Sequence, residues 1–215
     1  MDLLDEIKED LRNEQAKKFW QNYGRYVIAA VVALVLGTGI TSGYKQYSQQ
    51  QAAKDAGEFS TAMQLANDKK RDEALQKLSS LALDGTSGYK TLALFSTANL
   101  ALKEGKPADA ASAYDQVANN ESIDPLYRGL ATIYGTIIRM DLPDADLAGL
   151  DAKLQPLTAA GKPWRFSALE LQGLIAMQQG NKEKAKNIFD RIAADAEAPQ
   201  VMKARVQRQS EVLSY

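Results

Sequence analysis

The chain has 215 residues without cysteine or histidine, and its 26 basic residues nearly balance its 27 acidic ones. This composition excludes disulfides, thiol catalysis and metal sites built on cysteine or histidine. The balanced charge also argues against nucleic acid as a partner, and a hydrophobic share of 45% is typical of chains that fold.

Residues 1–25 are strongly charged and carry apolar residues at helical spacing. Leu4, Ile7 and Leu11 recur along one side of such a helix. Its first turns are rich in acidic residues, and Lys17 and Lys18 follow near its end. This pattern predicts a short amphipathic helix. It could serve as a cytoplasmic docking helix for a membrane partner, or it could simply extend the anchor that follows with a solvated face.

Residues 26–44 carry no charge and predict a membrane-spanning helix. Such a helix would be about 28 Å long, close to the hydrocarbon thickness of a bilayer. A cleaved signal peptide is the alternative. The long, doubly charged segment before the apolar run and the lack of a convincing A-x-A site after Gly43 favour an uncleaved signal anchor instead.

The flanking charges predict the orientation of this span. Five cationic residues precede it and two follow within a comparable distance, namely Lys8, Arg12, Lys17, Lys18 and Arg25 before it and Lys45 and Lys54 after it. The positive-inside rule then leaves residues 1–25 in the cytoplasm and places the rest of the chain across the membrane.

Small residues form two stripes within the predicted span. Ala29, Ala33 and Gly37 fall four apart, and Gly39 and Gly43 form a separate G-x-x-x-G pattern. Such stripes allow two membrane helices to approach closely, so these residues are candidates for packing against a partner span.

Beyond a linker or helix extension at 45–54, the region 55–215 repeats itself with helical periodicity. Residues 92–118 align with 169–193, so that Gly105 meets Gly180, and an upstream copy lies at 59–82. A degenerate copy at 126–157 lies between them. The period of about 37 residues predicts an all-α solenoid of about four helical hairpins. After Pro199, a C-terminal helix is expected to close the stack.

Each repeat is expected to cross its two helices at small residues, because bulk there would push the helices apart. These positions are Ala62, Ala74, Ala98, Ala110, Gly135, Gly173 and Ala185. In the degenerate copy, Leu147 stands where the second small residue is expected. The pattern resembles the tetratricopeptide repeat, although the copies lack its early large aromatic residue.

The whole chain is similar to a more specific family. Its most distinctive parts are the basic and aromatic run KKFWQNYG at 17–24 before the span and the closing segment APQVMKARVQRQSEVLS at 198–214. These resemble the YfgM-like ancillary SecYEG translocon subunits, single-span inner-membrane proteins of Gram-negative bacteria. The resemblance implies a periplasmic repeat domain that associates with translocon subunits and a periplasmic chaperone. A tetratricopeptide adaptor for envelope biogenesis or division, unconnected with export, is the alternative.

Catalysis is not expected, and neither a cofactor nor a small-molecule substrate is predicted. Asp144, Asp146 and Asp151 cluster, but they fit a solvated helix start better than a metal or acid-base site. Binding is instead expected along the concave face lined by the first helix of each hairpin. The candidates on this face are Phe59, Met63, Phe95, Asn99, Leu102, Thr132, Thr136, Arg139, Glu170, Leu174 and Met177.

Overall fold

The computed structural model describes residues 45–213 together with Tyr23 and Tyr26. The predicted amphipathic segment and membrane span fall outside this range, apart from Tyr23 and Tyr26, which are helical and exposed. The small residues predicted to pack within the span, Ala29, Ala33, Gly37, Gly39 and Gly43, lie outside it as well. Among the helices of the described residues, none combines the length and the apolar character that a bilayer crossing requires.

The chain divides into two compact units, Met1–Gln51 and Ala52–Tyr215. In the first unit, residues 45–51 are helical, and the Gln51 side-chain amide donates to the Tyr47 hydroxyl at 3.0 Å. The segment 45–54, predicted as a linker or helix extension, is therefore helical throughout.

The described residues contain α-helices, one 3-10 helix and the turns that join them, without any strand. Successive helices pair into hairpins, α1 with α2, α3 with α4, α5 with α6 and α7 with α8, and α9 follows at the C-terminal end. The helices are α1 (45–67), α2 (Arg71–Asp84), α3 (Ser87–Lys103), α4 (Pro107–Ala118), α5 (Pro125–Met140), α6 (Leu147–Leu154), the 3-10 helix η1 (Gln155–Leu157), α7 (Arg165–Gln178), α8 (Lys182–Ala194) and α9 (Gln200–Val212).

The first, second and fourth hairpins turn in the same way. Each turn contains one residue in the left-handed region, Lys69, Gly105 or Gly180, with φ of 62°, 69° and 75°. The next backbone N–H then donates across the turn to a carbonyl of the preceding helix at 2.9 Å. Glycine suits this conformation because it has no Cβ, so Lys69 carries a steric cost there. Between α5 and α6 there is no left-handed residue.

The small residues predicted at the helix crossings are all buried. Ala98 and Ala110 share one core cluster with Tyr114, and Ala185 shares another with Phe189. Gly173 lies directly against Phe189, because a Cβ built on this glycine would overlap the aromatic ring. A glycine therefore lets the fourth hairpin close without displacing the Phe189 ring.

The third hairpin departs from the expected register. Its predicted role at the hairpin's own crossing requires Gly135 to face α6. Instead, Gly135 faces α4, because a Cβ built on it would lie 3.4 Å from Cβ of Tyr114. Helix α5 packs mainly against α4 and only lightly against α6, which has eight residues. Leu147, which replaces the expected small residue, opens α6 and packs partly buried against Leu150 and Leu154. The short second helix thus offers α5 less surface to pack against than α4 does.

Helix α9 covers the fourth hairpin, as the C-terminal segment predicts. Val206 is fully buried in the same cluster as Phe189. The Ser210 hydroxyl donates to the Asp190 carboxylate of α8 at 2.5 Å. Apolar burial and a polar contact therefore both attach α9 to α8.

Candidate protein-binding face

The residues predicted for the concave face differ widely in exposure. Asn99 and Leu102 of α3 are exposed to solvent. Phe59 and Phe95 are partly buried, with ring centroids 6.1 Å from Tyr89 and 5.4 Å from Tyr114, respectively. The remaining apolar candidates, Met63, Leu174 and Met177, are partly buried too. Most of the predicted row therefore contributes to packing.

The three candidates from α5 lie beside α4 and α6. Thr136 is only 2% exposed, and the Arg139 guanidinium donates two hydrogen bonds to Asp115 of α4, at 3.0 and 2.5 Å. Thr132, Thr136 and Arg139 line a cavity of about 140 Å³ together with Asp115 and Lys153. Their assignment to the concave face depended on Gly135 marking the hairpin crossing, and the burial of Thr136 and the pairing of Arg139 leave neither side chain free for a partner.

Glu170 is also unavailable to a partner on the predicted face, for a different reason. It is 9% exposed, and its carboxylate accepts hydrogen bonds from the Arg205 guanidinium of α9 at 2.5 and 2.6 Å. Glu170 thus holds the closing helix and is not free to contact a partner.

A different set of side chains forms an exposed apolar surface. On α3, Leu92 and Leu102 remain 47% and 41% exposed, and on α5 Tyr127, Tyr134 and Ile137 remain between 42% and 47% exposed. Each set follows helical spacing and so lies along one side of its helix. With Phe95, these five residues are called the apolar face below.

The buried ring of Tyr114 connects the two helices of the apolar face. Phe95 of α3 approaches it edge-on, and Tyr134 of α5 lies with its ring centroid 5.5 Å from that of Tyr114. Burial raises the pKa of Tyr114, with a further contribution from Tyr134, so its hydroxyl stays protonated. The two exposed stripes therefore meet over one neutral aromatic cluster.

The apolar face has the composition of a protein contact surface. On α3 the apolar face contains Leu92, Phe95 and Leu102, and on α5 it adds two tyrosines and Ile137, all without charge. Exposed aromatic and aliphatic side chains without charge are typical of the centre of a protein–protein interface.

Four of these residues, Leu92, Tyr127, Tyr134 and Ile137, were missed in the sequence analysis. The signal was present in α5, where Tyr127, Leu130, Tyr134 and Ile137 recur at helical spacing. The prediction aligned this repeat on Gly135, which shifts the predicted outward-facing positions by two residues, about half a helical turn. Thr132, Thr136 and Arg139 were therefore assigned to the face in their place.

Two of the aspartates in the 144–151 region have structural roles. The Asp146 side chain caps α6 by accepting from the Gly149 N–H at 2.9 Å. Asp151 forms an ion pair with Lys184 of α8 at 2.8 Å. Within the described residues, no group of three or more acidic side chains is placed to hold a metal ion.

Comparison with known proteins assigns this architecture to a family. The model of the tetratricopeptide repeat-like domain matches residues 17–214, so the chain belongs to this family. The ancillary SecYEG translocon subunit of Haemophilus influenzae is 26% identical over 188 residues, which cover 86% of this chain and 88% of that protein. The predicted resemblance to such subunits is confirmed. No solved structure matches the chain significantly.

Proposed function

We propose that this protein is a non-catalytic, membrane-anchored scaffold that binds other proteins and acts as an accessory to the Sec translocon. The apolar face on α3 and α5 carries the proposal, because five large apolar side chains stay exposed there beside a well-packed core. Burying one such side chain at an interface contributes roughly 1.5–3 kcal/mol, which gives a reason for their exposure.

The relative's name supports the choice of partner. That protein is an ancillary SecYEG translocon subunit and is similar to this chain over most of both lengths. Translocon subunits are therefore the proposed membrane partners, and a periplasmic chaperone or an exported client is the proposed ligand of the apolar face. The finer role is assistance in the secretion or folding of envelope proteins.

The proposed location is the bacterial inner membrane, with a cytoplasmic N-terminus and a periplasmic repeat domain. The uncharged segment 26–44 and the excess of cations before it support this arrangement. Fusions at Tyr215 test it: alkaline phosphatase should be active there and a cytoplasmic fluorescent reporter should not. The opposite pair of results would reverse the topology and remove the periplasmic role.

Site-specific crosslinking in intact membranes tests the function. A photoreactive phenylalanine analogue at Ile137 or Leu102 is expected to capture a periplasmic chaperone or client. The same analogue at Val201 of α9, which is 79% exposed and lies outside the apolar face, is the control. Crosslinking from the predicted span should capture translocon subunits. Recovery of envelope-biogenesis or division factors in their place would select the alternative function.

Paired substitutions test the face itself. Changing Leu102 and Ile137 together to Ser should abolish capture of periplasmic partners with only a small loss in melting temperature, because the side chains are 41% and 42% exposed and lie outside the buried core clusters. Changing Leu83 and Val201 to Ser removes two equally apolar, exposed residues from elsewhere and should leave capture intact. Full retention of partners by the first variant would contradict the proposed face.

A further inference from the structure

A second pocket lies on the opposite side of α5 from the apolar face. It has a volume of about 380 Å³ and is bounded by α5, η1 and the segment that leads into α7. Its walls include Leu126, Leu157 and Trp164, and its charged lining consists of Arg128, Lys153 and Lys162. The residues that line it include no aspartate or glutamate. This cavity is called the basic pocket.

The positive charge of the basic pocket is poorly compensated. Neither Arg128 nor Lys162 forms an ion pair within the described part of the chain, and the Nε atom of Arg128 is buried without an acceptor. Lys153 lies 3.5 Å from Asp115, but that carboxylate already accepts two hydrogen bonds from Arg139. A cationic group beside apolar walls is stabilised when an anion enters.

The apolar wall of the pocket is held in a fixed position. The Trp164 indole N–H donates to the Leu126 carbonyl at 2.8 Å. Gly129 makes this possible, because a Cβ built there would overlap the indole ring. Pro125, Pro156 and Pro163 restrict the backbone around the same cavity. Binding would therefore require little reorganisation of the pocket.

We propose that the basic pocket binds a carboxylate that a protein partner carries next to an apolar side chain. The planar Arg128 guanidinium matches a carboxylate geometrically, and Lys162 adds charge at the rim. Leu126, Leu157 and Trp164 would cover the neighbouring apolar group. The carboxylate can come from a chain terminus or from an acidic side chain, and both present the same chemistry.

Trp164 fluorescence in the full-length chain provides the readout. The sequence has two tryptophans, so Trp20→Phe leaves Trp164 as the sole reporter. We expect acetyl-Ala-Leu-Leu with a free C-terminal carboxylate, or the C-terminal amide of acetyl-Ala-Leu-Glu-Leu, to give a saturable change. The relative affinity of the two peptides identifies the source of the carboxylate. The C-terminal amide of acetyl-Ala-Leu-Leu should bind at least about tenfold more weakly.

Matched variants separate this site from general electrostatics. Arg128→Gln and Lys162→Gln should each weaken peptide binding by about fivefold or more. Lys162 is exposed, so its replacement tests the pocket without disturbing the fold. Lys182→Gln on α8, an exposed position outside the pocket, should leave the affinity unchanged. Melting temperatures measured by circular dichroism verify that each variant is folded.

Several outcomes would overturn the proposal. Equal binding of the acid and amide peptides, or unchanged affinity in both pocket variants, would show that no carboxylate is recognised. Saturable binding of inorganic phosphate or of phosphatidylglycerol vesicles with the same affinity and the same dependence on Arg128 would make the pocket a general anion or lipid site. None of these results depends on the apolar face, so the function proposed above is tested separately.

Discussion

The third and fourth hairpins follow the same repeat to different degrees. In the fourth, Gly173 closes against Phe189, Gly180 forms the turn and α9 covers the outer side. In the third, the second helix has eight residues, no left-handed residue forms the turn between α5 and α6, and cavities of about 140 and 380 Å³ flank α5. A glycine-closed crossing therefore characterises the fourth hairpin, whereas the crossing of the third is looser; the fourth is not free of cavities, since one of about 570 Å³ lies between α6, α7 and α8.

The contacts between these two hairpins include a polar network. The buried Gln172 amide of α7 donates to the Asp151 carbonyl at 3.2 Å and to the Gln155 side chain at 3.1 Å. Asp151 also pairs with Lys184. Each such bond contributes only about 1 kcal/mol net, and because these bonds join α6 and η1 to α7 and α8, both hairpins share that contribution.

Replacing one glycine in each hairpin by alanine should give the largest difference in stability loss between the third and fourth hairpins. Gly173→Ala places a Cβ inside the Phe189 ring and should lower the free energy of unfolding by about 2–3 kcal/mol. Gly135→Ala meets Tyr114 at an ordinary contact distance of 3.4 Å and should change stability by less than about 1 kcal/mol, since alanine favours the helix. Urea denaturation measures both. Equal losses would show that the two crossings are equally tight.

Removing Arg139 of the third hairpin or Arg205 of α9, which contacts the fourth hairpin, should give the next largest difference in stability loss. Arg205→Ala leaves the Glu170 carboxylate, 12% exposed, without its ion-pair partner and should cost about 1–2 kcal/mol after discounting for the half-exposed arginine. Arg139→Ala should cost less, about 1 kcal/mol, because Asp115 is 33% exposed and keeps Lys153 nearby.

Thermal melts of the two arginine variants provide the comparison. Arg208→Ala, an exposed change on α9 that removes no ion pair, is the control and should have little effect. A larger loss for Arg139→Ala than for Arg205→Ala would contradict the view that the more exposed Asp115 carboxylate needs its arginine less than Glu170 does.

Much of the fold is predictable from the sequence because its determinants are local. Small residues such as Ala98 and Ala185, with glycine in the intervening turns, specify a helical hairpin whatever surrounds it. The closing helix after Pro199 is predictable for the same reason, since proline and an amphipathic pattern mark its start.

The site was less predictable because it depends on contacts between hairpins. The rotation of α5 is set by Tyr114 of the preceding helix and by the shortness of α6, and neither effect is visible in the pattern of α5 alone. Glu170 likewise reads as an outward-facing residue until Arg205, from a distant helix, is placed beside it. Tertiary packing therefore decided which residues are exposed.

Substitutions in the turns are expected to change stability by smaller amounts. Gly180→Ala forces a Cβ into the left-handed region and should cost about 1 kcal/mol, while Lys69→Gly relieves the same strain and should gain roughly 0.5–1 kcal/mol. Asp141→Gly, at the start of the third turn where φ is −91°, relieves no such strain and should not stabilise the protein. Chemical denaturation of the three variants measures these changes, and stabilisation by Asp141→Gly would show that the third turn is strained like the first.

The smallest expected effect is a pH dependence in the closure of the fourth hairpin. A hydrogen bond from Lys186, followed by one from Ser210 of α9, lowers the pKa of Asp190. Because the folded pKa is below the unfolded one, this carboxylate stabilises the fold above the ordinary aspartate range and loses that contribution as the pH falls through the lowered value. Asp190→Asn should therefore flatten the stability profile below about pH 4, measured by urea denaturation at several pH values. Ser210→Ala removes one of the two donors and should flatten the profile partially. If both variants lose stability on acidification as steeply as the parent chain, the Asp190 contact does not contribute to the acid sensitivity of the fourth hairpin.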